Sequence, residues 1–333
     1  MIIINQAVLH ILDFNSGITV FSDRTLPLEN SVEAFLLKHI EKSYQDQSLK
    51  TGDFYEDSVF KQRINDYCKR ENVSFIEFSR WLAEKMYEAV AKSDNLVSAD
   101  LLVADIKIDD RRMIAIFKCN NKIGFIHQVT QSDAGICNEI INHYAILPNL
   151  SQKIDECAFI DVTDGSIKFS DKKYICEGDA VFLLPEVILE CAYTTSPKVA
   201  LSEMTTIAKK VAEKHGQNTV EAVTAAKSFI AEKVQQFESV EPAELSKEIF
   251  KDSPLLQEEY LVEAQNAGLA DTVKLEADYA IKKTKMHKLK TDTGIELNIP
   301  LDYFQNTEYV EFINNSNGTV SINLKNISNI INK

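Results

Sequence analysis

The sequence predicts an α+β fold in which an antiparallel sheet and blocks of helices occupy separate parts of the chain. Apolar alternation and turn residues indicate hairpins near the start, in the middle and at the end of the sequence. Apolar residues at helical spacing indicate two blocks of helices between those hairpins. Because strands mostly follow strands and helices follow helices, an antiparallel sheet is favoured over a parallel, doubly wound one.

Length and composition indicate an ordinary two-domain globular protein. The 333 residues are 45% hydrophobic and 26% charged, with a formal net charge of −14. We place the boundary near Thr195, which gives an α+β domain over 1–195 and a helical domain with a β tail over 196–333. The apolar runs are too short for a bilayer and the start lacks a basic leader, so we expect no membrane segment or secretion signal. Six cysteines without a CxxC pair indicate reduced thiols in the cytoplasm.

The first domain is predicted to begin with a hairpin, 2–12 and 18–21, around Asn15-Ser16-Gly17. Two helix starts have the spacing of a capping box, Asn30 with Glu33 and Ser74 with Glu77. The predicted helices are 32–44, 57–69 and 74–91. The predicted strands that follow are 99–108, 113–119, 122–130, 139–146, 156–162 and 166–169. Asn120-Asn121 suits a two-residue turn that would pair the second and third of these strands.

The second domain is predicted to be helical and then all-β. Ser196-Pro197 is typical of a helix start, and Gly216 and Gly268 are placed to end helices. The predicted helices are 198–215, 219–237, 242–250 and 254–266. The predicted strands are 278–289, 295–301, 309–313 and 320–324, with Asn317-Gly318 as the last hairpin turn.

No motif for catalysis or cofactor binding is found. The sequence lacks phosphate-binding glycine loops, HExxH and Cys/His clusters with zinc spacing. We therefore expect no catalytic residue, no metal, no cofactor and no enzymatic activity. One alternative remains, a metal-dependent nuclease using Asp100, Asp105 and Asp109 with Lys107, because hard divalent cations prefer clustered carboxylates.

A lysine-rich stretch stands out against the acidic chain. Residues 282–290 hold five lysines and one histidine without an acid. As an extended strand, this stretch would place Lys283, Lys285 and His287 on one face. It predicts contact with an anion such as the DNA backbone, and the alternative is a strand edge protected by lysines. The candidate DNA-binding residues here are Lys282, Lys283, Lys285, His287, Lys288 and Lys290.

Three further lysines, Lys209, Lys210 and Lys214, lie opposite the apolar face of the helix predicted over 198–215. We expect them to assist DNA contact, and a solvated helix face is the alternative. All six arginines precede residue 113, so the second half carries lysines alone. Arginine forks read guanine whereas lysine acts as a point charge. We therefore expect contact with phosphates rather than bases.

Six segments of the chain form a recognisable series: 5–13, 126–129, 146–148, 151–160, 167–169 and 171–174. In sequence and order they resemble the bacterial nucleoid-associated proteins related to YejK/NdpA, closest to Gram-positive-type members. The resemblance implies a cytoplasmic protein found with the bacterial nucleoid and implies no enzymatic activity. None of these segments is a catalytic signature.

The leading hypothesis is a nucleoid-associated protein that contacts DNA without sequence preference through its lysine-rich surface. The alternative is a protein-interaction module that reaches the nucleoid through a partner, because a charge of −14 opposes approach to DNA. The expected partners are DNA, directly or indirectly, and other nucleoid proteins. A homodimer is also open, since apolar strands near the N-terminus and the C-terminal hairpin could pair between copies.

Overall fold

The computed structural model describes the chain except residues 16, 70–72, 134, 155, 305, 316–318 and 332–333. The chain divides into two compact units, Met1–Thr194 and Thr195–Lys333. A large antiparallel sheet, helices and small hairpins are present, which confirms the α+β class.

The first unit contains a large sheet, three described helices and shorter hairpins. Its strands are β1 Ile2–Leu12, β2 Thr19–Val20, β3 Lys50–Phe54, β4 Ala99–Ile108, β5 Arg111–Asn120, β6 Lys122–Ser132, β7 Gly135–Ile146, β8 Glu156–Asp161, β9 Ile167–Ser170, β10 Lys173–Cys176, β11 Asp179–Phe182 and β12 Cys191–Tyr193. Its helices are α1 Asn30–Tyr44, α2 Val59–Cys68 and α3 Phe75–Ala91, and Leu183–Leu189 forms a π-helical segment. Eight strands form one antiparallel sheet in the order β12-β3-β9-β8-β5-β4-β1-β2.

Both faces of this sheet are covered, which explains the continuous apolar runs of β4 and β5. On one face, Val103 and Ile116 pack in a core with Phe78 of α3. On the other face, Ala104 and Phe117 pack in a core that includes Leu36 and Ile40 of α1. A strand buried on both sides has no need of polar alternation.

The predicted hairpin at Asn120-Asn121 is wrong. Both sides of β5 are already paired, with β4 and with β8, so no edge of β5 remains for β6. β6 instead pairs with the next strand, β7, in a separate two-stranded ribbon. We call Lys122–Ile146 the β6–β7 ribbon.

The second unit combines a helical core with short hairpins. Its helices are α4 Pro197–Lys214, α5 Thr219–Phe237, α6 Pro242–Ile249, α7 Pro254–Asn266, α8 Ala277–Thr284 and α9 Leu301–Phe304. Its strands are β13 Ser239–Val240, β14 Val273–Lys274, β15 Met286–Lys290, β16 Glu296–Pro300, β17 Val310–Asn314 and β18 Val320–Leu324. Met204, Ile230 and Tyr260 belong to the helical core, and the Tyr260 hydroxyl donates to the Met204 carbonyl at 3.1 Å. The β17–β18 pairing is as expected, whereas the predicted Asn317-Gly318 turn lies outside the described residues.

The helix starts show which capping signals operate. At α3, the Ser74 hydroxyl accepts from the Glu77 amide and the Glu77 carboxylate accepts from the Ser74 amide, so the predicted capping box is confirmed. At α4, the Ser196 side chain caps the helix as expected, with Pro197 in its first turn. The predicted box at Asn30 is wrong. The helix begins at Asn30, two residues before its predicted start, and its N-cap is Glu29, which makes no side-chain cap hydrogen bond.

The prediction of one strand over 278–289 is also wrong. Residues 277–284 form α8, whose buried Ala280 and Thr284 lie four residues apart on the side that contacts α5. Asp278 lies in the first turn and Lys282 and Lys283 in the last, an arrangement that favours a helix through its dipole. The lysine-rich stretch is therefore half helix end and half strand.

Candidate nucleic-acid interface

The end of α8 and strand β15 expose all five lysines of the stretch but bury its histidine. Side chains alternate along β15, so Lys288 and Lys290 face outward while His287 and Leu289 face the other way. His287 is 4% exposed, and its ring centroid lies 4.1 Å from that of Phe304. His287 is one of the predicted DNA contacts, but its ring is buried against Phe304 under the β15–β16 hairpin and does not reach the surface.

The exposed lysines differ in whether an acidic side chain already forms an ion pair with them. Among the described residues, Lys282, Lys283, Lys285 and Lys288 form no ion pair. Lys290 lies 3.1 Å from a carboxylate oxygen of Glu296 across the hairpin. Four positive charges of the stretch are thus open to an external anion.

The lysines predicted on α4 divide between two sides of that helix. Lys210 lies 2.7 Å from Glu263, and Lys214 lies 2.6 Å from Glu259, both acids of α7. Lys209 is exposed and makes no described ion pair. The structure therefore does not bring the three together as one phosphate-binding group.

A pocket of about 250 Å³ lies between α4, α5 and α8. Three lysines line it, one from each helix: Lys198, Lys227 and Lys283. Its remaining lining residues are uncharged: Leu201, Ser202, Thr205, Tyr279 and Thr284. We call this site the lysine pocket. A concave surface with three cations and no acid attracts anions.

Two hydroxyl groups of the lysine pocket already donate hydrogen bonds to backbone carbonyls. The Thr205 hydroxyl donates to the Ser202 carbonyl at 2.9 Å, and that of Thr284 donates to Ala280 at 2.8 Å. Lys283 Nζ lies 5.9 Å from the centroid of the Tyr279 ring. Attraction of an anion therefore rests on the ammonium groups, with the exposed Ser202 hydroxyl as a further donor.

Lys227 is the half-buried cation of the pocket. Burial lowers its pKa, and the neighbouring positive charge of Lys288 lowers that pKa further. Its Nζ donates to the Met286 carbonyl at 3.3 Å and has no carboxylate partner among the described residues. A bound anion would offset both the burial and the repulsion between the two lysines. The positive charge of Lys227 also acts on His287. Burial, and then this charge, lower the pKa of His287 to about 4.

Helical spacing extends the pocket along α4. Lys198, Ser202 and Thr205 line the pocket, and Lys209 follows Thr205 by four residues. Residues three and four apart share a helix face, so Lys209 lies on the pocket side of α4. Of the lysines predicted on this helix, Lys209 alone continues that side.

Two pocket lysines, Lys198 and Lys227, are absent from the sequence-based set. Lys198 directly follows the Ser196-Pro197 helix start, where it reads as an ordinary first-turn residue. Lys227 is the one charged side chain between Glu221 and Glu232. That isolated lysine in an apolar stretch is the signal by which the sequence could have indicated a special environment.

The acids proposed for a nuclease do not form a metal site. Asp105 is buried and receives bonds from Arg112, at 2.7 Å, and from the Tyr67 hydroxyl. Lys107 pairs with Asp110 at 3.2 Å, and Asp109 pairs with the terminal amine. In the part of the chain that the structure describes, no group of three or more His, Cys, Asp or Glu residues could hold a metal ion. Within the same ranges, no helix has the length and apolarity needed to span a membrane.

Comparison with models of protein families gives a match over most of the chain. The family model described as nucleoid-associated protein YejK matches residues 8–332, which is nearly the whole chain. No curated protein matches the sequence significantly.

Proposed function

The chain belongs to the family of nucleoid-associated protein YejK, and from that premise we propose that it contacts DNA directly through the lysine pocket and the lysines around it. Family membership gives a bacterial protein located at the nucleoid in the cytoplasm. The proposal adds the surface and the mode of contact. Lys198, Lys227 and Lys283 hold a backbone phosphate, and nearby exposed lysines contact adjacent phosphates.

The convergence of three lysines on one acid-free pocket carries this proposal. Lysines scattered on a surface are commonly solvated or paired, as Lys210 and Lys214 are. At the pocket, three helices bring their lysines together without a compensating carboxylate. A phosphate supplies the missing negative charge.

The expected contact is independent of base sequence. All six arginines precede residue 113, so the second unit has no guanidinium fork for guanine. Lysines offer point charges that suit phosphate oxygens. We therefore expect similar affinities for duplexes of different sequence and a strong dependence on salt.

The salt dependence of DNA binding tests the proposal. Replacing Lys198 and Lys283 by Gln removes two of the three cations that hold this phosphate, so the slope of log K against log salt should become shallower by about 0.9. Fluorescence anisotropy of a labelled duplex, measured over a series of salt concentrations, gives the slope.

A matched variant controls for net charge. Lys210→Gln with Lys214→Gln removes the same two charges, but from lysines that already pair with acids. Its slope should change by less than about half as much. Equal slopes for the two double variants, or no change in the first, would contradict the pocket as the phosphate contact.

A second candidate function is recruitment to the nucleoid through a protein partner. It is favoured by the net charge of −14, which opposes approach of the whole chain to DNA. Recovery of the protein with nucleoid material before and after nuclease treatment separates the two. Loss of association after DNA removal supports direct contact, whereas unchanged association supports a protein partner.

A further inference from the structure

The β6–β7 ribbon has one strongly apolar face. Its register places His127 opposite Ile140 and Val129 opposite Asn138, so alternate residues of both strands share each face. One face gathers six large apolar side chains, each 60–80% exposed: Ile123, Phe125, Val129, Ile136, Ile140 and Tyr144. Four polar side chains lie among them on the same face: His127, Gln131, Asn138 and Asn142. We call this the apolar ribbon face.

The opposite face of the ribbon is more polar. It carries Gln128, Thr130 and Glu139, and its apolar side chains include Ile126, which is 43% exposed, and the half-buried Ile141 opposite it. Sequence alternation therefore gives the ribbon two different sides, as in a strand pair that packs on one side and meets water on the other.

A two-stranded ribbon with such a face is incomplete by itself. Isolated two-stranded hairpins are marginally stable in water, and a hydrophobic face gains stability only when it is covered. Among the described residues, β6 and β7 have strand partners only in each other, so each also presents an outer edge. The apolar ribbon face and both outer edges would therefore be stabilised by contact with another protein surface.

The exposed area has the size of a protein interface. Six side chains of this size, at ~130 Å² each, expose roughly 800 Å², close to the ~800 Å² that each partner buries in a standard complex. The summed apolar area of these six side chains exceeds the area of the largest apolar patch on a typical soluble monomer.

The charge of the ribbon identifies the kind of partner. Its charged residues are Lys122, Asp133 and Glu139, a formal sum of −1 in a chain of −14. One lysine is too few for a nucleic-acid contact, which requires several phosphates to be neutralised. Two copies of an acidic chain repel each other over most of their surface, and this nearly neutral, apolar face is where that repulsion is weakest.

We propose that the apolar ribbon face binds the same face of a second copy, which makes the protein a homodimer. A two-fold axis places identical apolar faces against each other, so one contact covers both ribbons at once. The contact involves residues 122–146 of each chain. It does not depend on the lysine pocket, so either proposal can fail without the other.

Sedimentation velocity at protein concentrations from about 1 to about 100 μM tests the dimer. The wild-type chain should sediment as a dimer at the upper end and dissociate on dilution. The double variant Phe125→Gln and Ile140→Gln should weaken dimerisation by on the order of 10,000-fold, because a two-fold dimer carries each change twice and each of the four lost apolar side chains is worth about tenfold.

The matched control lies on the other face of the same strand. Ile126→Gln has the same chemistry as the test substitutions and should change dimerisation by less than about threefold. Far-UV circular dichroism of both variants checks that the fold is retained. A wild-type chain that is monomeric over the whole range overturns the proposal, as does a double variant that dimerises like the wild type.

Hydrogen exchange locates the contact independently of any substitution. Amides of residues 122–146 should exchange more slowly at high protein concentration than at low concentration, because the dimer stabilises the ribbon. Exchange in the helical core around Met204 serves as the reference. A dimer whose ribbon amides show no dependence on concentration would place the interface elsewhere.

Discussion

Lysine side chains take three roles in this protein, each set by what surrounds the ammonium group. Lys118 is buried in the first unit, where its Nζ lies 3.2 Å from Glu156 and 2.7 Å from the Tyr174 hydroxyl. Lys210 is exposed but paired with Glu263. Lys283 lines an acid-free pocket. The first is a structural ion pair, the second contributes little, and only the third is available to an anion.

His287 makes the stability of the second unit depend on pH. Its folded-state pKa of about 4 lies below the unfolded value of 6.5. The unfolded chain therefore takes up the proton first, and stability falls as the pH drops from 6.5 towards 4. Between pH 7 and pH 5 the loss should be on the order of 1–2 kcal/mol.

Urea unfolding of wild type and His287→Leu at both pH values, followed by circular dichroism, measures this effect. Leucine keeps an apolar side chain against Phe304 and cannot be protonated. The variant should lose less stability than the wild type on going to pH 5. The same loss in both proteins would exclude His287 as the source.

At the scale of single elements, the ends of helices depend on their caps. Ser74→Ala removes a hydroxyl that accepts from the Glu77 amide at 3.2 Å and should lower the free energy of unfolding by about 1 kcal/mol. Chemical denaturation monitored by tryptophan fluorescence reports it, since Trp81 lies in the same helix.

Asn30→Ala provides the comparison for that prediction. Asn30 looked equivalent in the sequence, but α1 begins with Glu29 as the N-cap and without a side-chain cap. Its replacement should cost less than about 0.5 kcal/mol. Equal costs for Ser74→Ala and Asn30→Ala would contradict the assigned caps.

The lysine-rich stretch shows how packing selects between helix and strand. Five lysines with alternating neighbours suggest a strand edge when read alone. Packing against α5 instead stabilises a helix that places Ala280 and Thr284 on one face. The chain becomes extended only from Met286 onward. Lys283 reaches the pocket because it belongs to the helical part.

At the scale of the whole molecule, separate cores lead us to propose that the two units unfold independently. The first unit has its cores on the two faces of the sheet, and the second has a core of its own around Met204. Met204→Ala should destabilise the second unit by about 2–5 kcal/mol. Trp81, the one tryptophan, reports the first unit alone, whereas circular dichroism reports both.

Met204→Ala should therefore shift part of the dichroism transition in urea and leave the fluorescence transition in place. Leu82→Ala, in the core of the first unit, should shift the fluorescence transition instead. A fluorescence transition that moves with Met204→Ala would show that the units unfold together.

Much of the fold follows from local patterns. Helices α5 and α7 have the predicted bounds: Asn218 caps the start of α5, Pro254 opens α7, and Gly268 follows the end of α7. Gly216 and Gly268 both have positive φ, at 64° and 71°, as expected just after a helix. The predicted pairing across Asn120-Asn121 is wrong because turn residues do not specify which strand becomes the neighbour in the sheet.

The sequence by itself determined the α+β class, most helices, the excess of lysine over arginine in the second half and the family. These depend on composition and on residues close together in the chain. Only the tertiary structure decided that β6 and β7 form a separate apolar ribbon, that His287 is buried, and that Lys198, Lys227 and Lys283 meet at one pocket. The physical reason is that burial and charge compensation depend on residues distant in sequence, as Lys118 and Glu156 are, 38 positions apart.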